Sequence, residues 1–156
     1  MTVDPSTVVA MKDTRRFTTL LMQFQERNRN GKVFGGYLMR EAFDISWITA
    51  CVQAKHCLPE LLRVDQVLFL KPVPVGSVVE FESRVTLIEH IEGIGHVMRV
   101  VTKAFNEFKE QTNNFNFLFR IPDGQDYKRF ILPETFDDIL DYHEAQRRLS
   151  YESVYL

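Results

Sequence analysis

Four strand-like segments follow one another in the middle and second half of the chain, and they constrain the fold more than any other feature. They cover approximately 63–71, 78–89, 95–107 and 110–121. The connections between them are short and rich in turn residues, as in "PVPVGS" and "HIEGI", which favours antiparallel neighbours. The last segment alternates most clearly, with apolar side chains of one face at Phe115, Phe117, Phe119 and Ile121. The sequence therefore predicts an antiparallel sheet with one buried face rich in phenylalanine.

A first strand and a helix are predicted before this region, and a second helix after it. The strand covers 17–24 and the helix 36–55. Apolar or small residues recur in this helix with the helical period, at Leu38, Ala42, Ile45, Thr49 and Val52. The second helix is predicted at 133–149, where Pro133 suits a first helical turn. We expect its buried stripe to consist of Phe136, Ile139, Leu140 and His143.

One long helix placed before a run of antiparallel strands predicts an α+β fold of the hotdog type. In this fold the antiparallel sheet wraps around the long central helix, and the C-terminal helix is an addition to it. The chain has 156 residues, of which 45% are apolar and 13 are phenylalanine, enough to bury one core. We therefore expect residues 1–156 to form a single hotdog domain, with 1–14 as a flexible N-terminal segment.

Composition excludes several classes of function. A formal net charge of -2 without a dominant basic block argues against nucleic acid as the main partner. No apolar run reaches the length of a membrane span, and "MTVDPSTVVAMKDTRRF" has neither a signal sequence nor a presequence, so we expect a mature or excised product without a membrane partner. Cys51 and Cys57 are interpreted as reduced thiols. Metal-ligand spacing is absent from the four histidines, so we expect neither a metal nor another cofactor: His56, His90, His96 and His143.

Residues 27–44, "RNRNGKVFGGYLMREAFD", contain the candidate site. Two glycines stand at the predicted helix start, where free backbone N–H groups carry a partial positive charge. Gly36 is therefore a candidate catalytic residue whose N–H stabilises a substrate oxygen as it becomes negative, and Gly35 is a candidate substrate contact. A packing role of the glycines against the sheet is the alternative.

The chain resembles hotdog acyl-CoA thioesterases at several motifs. The loop-to-helix motif N-x-N-G-x-V-F-G-G-x-L-M covers Asn28 to Met39, and "FLKPVPVGSVVEFESRV" at 69–85 is similar to a second signature. With "MKDT" near the start and "ETFDDILDYHEAQRR" near the end, about nine tenths of the chain resembles the second hotdog domain of the two-hotdog mitochondrial-type enzymes. The resemblance implies hydrolysis of acyl-CoA to a free acid and coenzyme A. Those relatives contain two hotdogs, whereas this chain contains one.

The resemblance also implies catalytic residues. In the family, an asparagine in the loop and an acid on the helix come from opposite hotdogs. Asn28 matches the asparagine, and Asp44 is the nearest equivalent of the acid. Many relatives place the acid eight residues after the first glycine, where this chain has Phe43, and the offset rotates Asp44 by about 100° around the helix. Glu41 is the fallback, and a solvated Asp44 paired with Arg40 is the alternative without function.

Substrate contacts are predicted on both sides of the thioester. Phe34 precedes the glycines, and Trp47 is expected to pack at an interface or line the acyl tunnel. The phosphates of coenzyme A require cations. Arg99 and Lys103 are predicted to share the outward face of one strand. The full set of candidate cations is Lys71, Arg99, Lys103 and Arg120.

Three readings of the function stay open at this point. The preferred one is an acyl-CoA thioesterase that works as a homodimer, with tetramers or hexamers of hotdogs as further assemblies. The second is a non-catalytic acyl-CoA-binding or structural half of a tandem protein. The third, a hotdog enoyl-CoA hydratase, requires a histidine close to Asp44 on the helix, which the sequence does not supply. The resemblance implies a mitochondrial location, and a cytoplasmic location is the alternative.

Overall fold

The computed structural model describes residues 4–23, 29, 31–33, 35–55, 57–122, 127 and 129–152. Of residues 151 and 152 it describes the backbone only. Two α-helices are present in these ranges, α1 (Gly35–Gln53) and α2 (Phe136–Glu152). Short 3-10 helices cover Pro5–Thr7 and Met11–Thr14. The strands are β1 (Val8–Ala10), β2 (Arg16–Leu21), β3 (Glu60–Val64), β4 (Leu68–Phe69), β5 (Val78–Ile91), β6 (Gly95–Phe105), β7 (Gln111–Ile121) and β8 (Phe130–Leu132).

The main sheet has the strand order β2-β5-β6-β7-β3, and β4 also pairs with β7. All its pairs are antiparallel, and β5, β6 and β7 form the long hairpins that the sequence predicts. The predicted strand 63–71 is divided into β3 and β4, which pair with different parts of β7, and the pairing of β3 also shifts register between Leu61 and Arg63. The predicted strand 17–24 ends at Leu21, and the N–H of Met22 instead donates to the carbonyl of Ser77 at 2.9 Å.

The inner face of the sheet packs on α1 and forms the core. The predicted phenylalanine row of β7 is confirmed, since Phe115, Phe117 and Phe119 are fully buried. From α1, the first four residues of the predicted stripe are buried, namely Leu38, Ala42, Ile45 and Thr49. Val52 was predicted with them but is exposed, and Gln53 is buried in the last turn instead. The hotdog arrangement predicted from the sequence is thus present, with the sheet wrapped around the long helix.

Helix α2 begins at Phe136, three residues later than predicted. The Thr135 hydroxyl accepts a hydrogen bond from the N–H of Asp138 at 3.1 Å. In return, the Asp138 carboxylate accepts from the N–H of Glu134 at 3.1 Å and that of Thr135 at 3.3 Å. This reciprocal capping box fixes the helix start after Thr135. Pro133 therefore lies before the helix, and the prediction of Pro133 in the first helical turn was wrong.

The predicted buried stripe of α2 was also wrong. Its four members are exposed, with Phe136 exposed by 74%. The side that faces the sheet instead carries Asp138, Ala145 and Leu149. Arg84 of β5 explains this orientation, because its guanidinium binds Asp138 at 2.8 Å and also pairs with Asp141. The outer sheet face is therefore covered by α2, with Leu87, Val97 and Leu118 packed under Ala145 and Leu149.

The N-terminal segment lies against the domain. We expected residues 1–14 to be flexible; within the described residues 4–14, β1 pairs in parallel with β8, from Val8 with Phe130 to Ala10 with Leu132. Met11 is fully buried, and the hydroxyl of Thr14 accepts a hydrogen bond from the N–H of Val85 at 2.9 Å. Neither α1 nor α2, the helices of the described ranges, is long and apolar enough to cross a membrane.

Candidate active site

The two glycines of the motif occupy different environments at the start of α1. A Cβ on Gly35 would lie 3.0 Å from the ring of Phe69, whereas a Cβ on Gly36 would meet nothing within 4 Å. Gly35 is half-buried and Gly36 is exposed. The absence of a side chain at Gly35 therefore serves the packing of the helix on Phe69. At Gly36 the bare backbone leaves an open approach to the first helical turn, whose N–H groups have no partner within the helix.

Contacts before the helix bring the two signature motifs of the sequence together. The N–H of Val33 donates to the carbonyl of Val73 at 2.9 Å, and Lys32 forms an isolated bridge with Pro74. Gly31 has φ +74°, a backbone conformation that favours glycine. The segment "LKPVPVGS" thus lies beside the residues that lead into the helix start, and it holds that start in place.

A groove of about 610 Å³ runs along α1 and β2, and both candidate acids line it. Its walls are Arg15, Arg16, Phe17, Thr18, Glu41, Asp44, Ile45 and Ile48. Asp44 is exposed and makes no hydrogen bond or ion pair with another described residue. The alternative of an Asp44 paired with Arg40 is therefore not present in the structure. An exposed carboxylate without a partner has room to accept a substrate or a water molecule.

The residue before Asp44 explains the one-residue offset. Phe43 faces the sheet, with its ring centroid 5.7 Å from that of Phe117 and 6.2 Å from that of Phe119. An acid at that position would contact these buried aromatic rings, where a charged carboxylate is unfavourable. Because Asp44 is rotated by about 100° from Phe43, its carboxylate lies in the groove.

Sequence reasoning missed the groove wall opposite the acids. Arg15 directly precedes β2, and Arg16 is the first residue of that strand. Arg15 also pairs with Glu82 at 3.8 Å. The pair "RR" before the predicted strand was the available signal, but its significance depends on β2 lying beside α1. In the structure these arginines give the groove positive charges next to the carboxylates of Glu41 and Asp44.

The distance between the two parts of the candidate site follows from helix geometry. Asp44 lies eight residues after Gly36 on the same helix. At 1.5 Å per residue the two are separated by about 12 Å along the helix axis. A general base must lie within hydrogen-bond reach of the proton that it removes, directly or through one water. A thioester carbonyl bound at Gly36 is therefore out of reach of Asp44 from the same chain.

Strand β2 forms one edge of the main sheet. Within the described residues its only strand partner is β5. The exposed apolar side chains along this edge and along the adjacent face of α1 are Phe17, Leu21, Ile48 and Val52. We refer to these four residues as the edge strip. An open sheet edge flanked by apolar side chains is a surface suited to pairing with a second chain.

Trp47 takes part in the packing of α1. Its indole N–H donates to the carbonyl of Pro59 at 3.2 Å, and its half-buried ring packs against the core. This contact ties the helix to the segment before β3. A role of Trp47 in lining an acyl tunnel stays a prediction.

The four predicted phosphate-binding cations do not converge in the structure. Lys71 is exposed and pairs with Glu110 beside β7. Arg120 lies at the other end of β7, where its Nε donates to the carbonyl of Ile94 at 2.9 Å and its Nη1 to Glu60 at 3.3 Å. Each cation therefore already has local partners, and none of these contacts indicates a phosphate.

Arg99 and Lys103 share the outer face of β6 as predicted, but this face is covered by α2. Arg99 is only 2% exposed, and its guanidinium binds Asp65 at 2.7 Å. Lys103 is half-buried, 3.9 Å from Asp141. Burial lowers the pKa of Lys103, and the nearby Arg84 lowers it further. The burial of this face was not predicted, because the position of α2 could not be read from β6 alone.

Two of the predicted site residues, Asn28 and Phe34, lie outside the described residues. Cys51 and Cys57 are half-buried reduced thiols, and burial raises the pKa of Cys51. Within the described ranges, no group of three or more His, Cys, Asp or Glu side chains is arranged to hold a metal ion.

Comparison with solved structures identifies the class of fold. An acyl-CoA hydrolase from Staphylococcus aureus, in complex with butyryl coenzyme A, coenzyme A and coenzyme A disulfide, superimposes with a TM-score of 0.82. It is 20% identical, and the match covers 95% of this chain and 92% of that chain. An apo-hexameric acyl-CoA thioesterase has a TM-score of 0.77 at 20% identity, with 95% and 96% covered. The chain is a hotdog-fold domain.

Sequence comparison narrows this class to a group of relatives. No protein-family profile matches the chain. The mitochondrial acyl-coenzyme A thioesterase 10 of Mus musculus is 32% identical over 153 residues, which cover 96% of this chain and 33% of that protein. The chain thus spans about a third of the length of this relative. It matches one hotdog domain of the two-hotdog acyl-CoA thioesterases.

Proposed function

We propose that the chain is an acyl-CoA thioesterase, which hydrolyses acyl-CoA to a free carboxylic acid and coenzyme A at sites shared between two hotdog domains. The observation that carries this proposal is the exposed helix start at Gly36 together with an exposed, unpaired Asp44 in an open groove of the same helix. The similarity to a mitochondrial acyl-CoA thioesterase supports the substrate class. The coenzyme A bound to the Staphylococcus aureus neighbour is consistent with it.

The chemistry assigns a role to each group. The thioester carbonyl oxygen lies at the N–H groups of the α1 start, which stabilise the negative charge that develops there. Asp44 of the other hotdog removes a proton from water, and the resulting hydroxide adds to the carbonyl carbon. The carbon–sulfur bond then breaks, and the leaving thiolate takes the proton from Asp44. Asn28 orients the water or the carbonyl, while Gly35, Phe34 and Trp47 contact the substrate.

Replacement of Asp44 by asparagine tests the proposal. Asp44→Asn keeps the size of the side chain but removes its basicity, so thiol release from acyl-CoA should slow by at least about a hundredfold. Glu41→Gln is the matched control one turn earlier in the same groove, and we expect a mild effect. Full activity of Asp44→Asn, combined with loss in Glu41→Gln, would move the base to Glu41.

The proposal requires a homodimer in which the edge strands β2 of two chains meet and the α1 helices lie side by side. The edge strip supports this arrangement. The separation of Gly36 from Asp44 supports it as well, because eight residues of helix place them about 12 Å apart along the axis. Light scattering at micromolar concentration should give the mass of a dimer or of a larger assembly, and the hexameric solved thioesterase supports a trimer of dimers as that larger assembly.

A charge in the edge strip should dissociate the dimer. Ile48→Arg places a guanidinium in the proposed interface, which should shift the light-scattering mass to that of the monomer and abolish turnover. Phe136→Arg is the matched control, because Phe136 is equally apolar and more exposed but lies on α2. An Ile48→Arg variant that stays dimeric would contradict this interface.

A non-catalytic half of a tandem protein is the second candidate. The observation that favours it is the match to only a third of the length of the mouse relative. On this alternative the chain binds acyl-CoA but needs a different hotdog to complete a site. A dimeric wild-type chain that binds a non-hydrolysable acyl-CoA analogue and never releases thiol from acyl-CoA would establish this reading.

Phosphate binding and location complete the proposal. Lys71 is exposed and Arg120 is partly exposed, and we assign the phosphates of coenzyme A to them in preference to Arg99 and Lys103, whose strand face is covered by α2. The name of the mouse relative supports a mitochondrial location. Fractionation of cells that express the natural protein checks this, and recovery in the cytosol would favour the alternative.

A further inference from the structure

Asn113 is the side-chain amide that lacks partners for both of its polar atoms within the described part of the chain, whereas Asn114 beside it lacks one for Oδ1. Asn113 of β7 is 0% exposed, and neither its Oδ1 nor its Nδ2 has a hydrogen-bond partner among the described residues. A buried carboxamide that lacks both bonds destabilises the folded state, so native proteins retain such groups rarely. Binding of a polar ligand group is one reason to retain it.

The neighbours of Asn113 on the sheet are apolar. Asn113 has the same parity as Phe115 on β7, so its side chain belongs to the inner face of the sheet. It is directly paired with Ala104 on β6 and with Phe69 on β4. Directly opposite residues of an antiparallel pair share a face, with their Cβ atoms about 5 Å apart. The amide is thus flanked by a methyl group and an aromatic ring.

Phe69 connects this amide with the helix start. Its ring packs edge-on against Phe115, with centroids 6.3 Å apart, and it also fills the space beside Gly35, 3.0 Å from where a Cβ would stand. Although it occupies this position, Phe69 is 58% exposed. The ring therefore lies at the surface between the start of α1 and Asn113.

We propose that Asn113 selects acyl groups that carry a hydroxyl oxygen, so that the preferred substrates are short hydroxyacyl-CoA thioesters. This inference rests on the proposed thioesterase function. With the thioester at the start of α1, the charged coenzyme A end stays at the surface, and the acyl end is the part that enters beyond Phe69. A hydroxyl both accepts from Nδ2 and donates to Oδ1, whereas a saturated chain leaves both atoms without a partner.

The test compares two substrates of equal chain length, 3-hydroxybutyryl-CoA and butyryl-CoA. The wild-type chain should show a kcat/KM at least about tenfold higher for the hydroxylated thioester, the scale of one or two hydrogen bonds gained. Asn113→Leu, which keeps the shape and removes both polar atoms, should reverse this preference. Asn114→Leu is the matched control, because it makes the same change on the next residue, whose side chain belongs to the other face of β7.

Three outcomes overturn the inference. A wild-type preference for butyryl-CoA, or no preference, does so without any variant. Equal losses for both thioesters in Asn113→Leu do so as well, because they indicate a contact with the part of the substrate common to both. The third outcome is that the control Asn114→Leu reverses the preference for 3-hydroxybutyryl-CoA as strongly as Asn113→Leu does. The thermal midpoint of Asn113→Leu should be unchanged or raised, since two unsatisfied polar atoms are removed from the core.

Failure of the proposed function is distinguished by binding. If the chain hydrolyses no thioester, calorimetry with the thioethers S-(3-hydroxybutyl)-CoA and S-butyl-CoA measures selection without turnover. Tighter binding of the hydroxylated thioether by the wild type, lost in Asn113→Leu, supports the selective role of Asn113 in a non-catalytic domain. Equal binding of the two overturns it.

Discussion

Asp138 should contribute more to stability than any other acid on α2, and Asp138→Ala tests this. The carboxylate is 3% exposed, accepts from the Arg84 guanidinium at 2.8 Å, and accepts from the N–H groups of Glu134 and Thr135. Truncation removes the cap of α2 and one of the two carboxylates, Asp138 and Asp141, that bind the largely buried guanidinium of Arg84. It therefore releases the helix that covers the outer face of the sheet.

The size of the effect follows from these contacts. Loss of one partner from a buried ion pair costs about 3–5 kcal/mol, and the lower end applies because Arg84 keeps Asp141. Loss of a helix cap adds about 1 kcal/mol, so we expect the free energy of unfolding to fall by about 3–4 kcal/mol. With an m-value of about 2 kcal/mol/M in urea, the unfolding midpoint should fall by about 1.5–2 M.

Urea unfolding followed by circular dichroism is the assay, and Asp137→Ala is the matched control. Asp137 precedes Asp138 in the same helical turn, but its side chain is exposed. Its replacement should change the free energy of unfolding by no more than about 0.5 kcal/mol, as for most surface substitutions. Equal destabilisation by the two variants would refute the reasoning, because it would show that neither the ion pair nor the cap matters.

The same variant predicts a pH dependence. Burial alone raises the pKa of Asp138, but the hydrogen bonds from Glu134 and Thr135, together with Arg84, outweigh it and hold the pKa below its ordinary value of 3.8. A carboxyl with a lowered folded-state pKa stabilises the fold above its unfolded pKa, and the stabilisation is lost as the pH falls through the folded pKa. The difference between wild type and Asp138→Ala should therefore be full at neutral pH and shrink below about pH 4.

Two further predictions concern the site. Gly36→Val should lower turnover at least about tenfold with little change in thermal midpoint, because a side chain there meets open space but blocks the approach to the helix start. Gly35→Ala should mainly lower the thermal midpoint, because its Cβ would contact Phe69. A Gly36→Val variant with full activity would remove Gly36 from the site. Arg120→Ala should raise the KM for acyl-CoA, and more at low salt than at high salt. Arg147→Ala, which changes an exposed arginine of α2, should leave the KM unchanged. An unchanged KM in Arg120→Ala would remove Arg120 from the site.

The parts of the fold that sequence analysis predicted correctly depend on local patterns. The alternation of Phe115, Phe117 and Phe119 identified a buried face because side chains of a strand point to opposite sides in turn. The stripe from Leu38 to Thr49 identified the buried side of α1 in the same way, through the helical period. These signals survive in the folded chain because α1 and β7 each bury the face that their own sequence makes most apolar.

Helix α2 shows why other parts could not be predicted. Its most apolar stripe is exposed, and its sheet-facing side contains the acid Asp138. The orientation is decided by Arg84, which is 54 residues away in sequence. The pairing of β1 with β8 is equally non-local, since Val8 meets Phe130. Hydrophobic periodicity contains no information about such contacts.

The candidate site was predicted in part for the same reason. Gly35, Gly36, Glu41 and Asp44 lie on one continuous helix, so their relative positions follow from helix geometry. The arginines of β2 were missed because their proximity to Asp44 depends on the place of β2 beside α1. The buried environment of Arg99 was missed because it requires α2 to cover the outer face.

A mixing experiment provides the most direct test of a site that is shared between chains. If Gly36 of one chain works with Asp44 of its partner, a heterodimer of Gly36→Val and Asp44→Asn chains contains one site with both defects and one intact site. Random pairing of equal amounts makes about half of all dimers mixed, so activity should return to about a quarter of the wild-type value after joint refolding.

The alternative arrangement gives a different result. If both groups acted within one chain, every site in the mixture would keep one defect and no activity would return. Each variant refolded alone is the control, and its residual turnover sets the baseline. Because the two residues are separated by about 12 Å along one helix, we expect recovery, and its absence in a mixture that light scattering shows to be dimeric would refute the shared site.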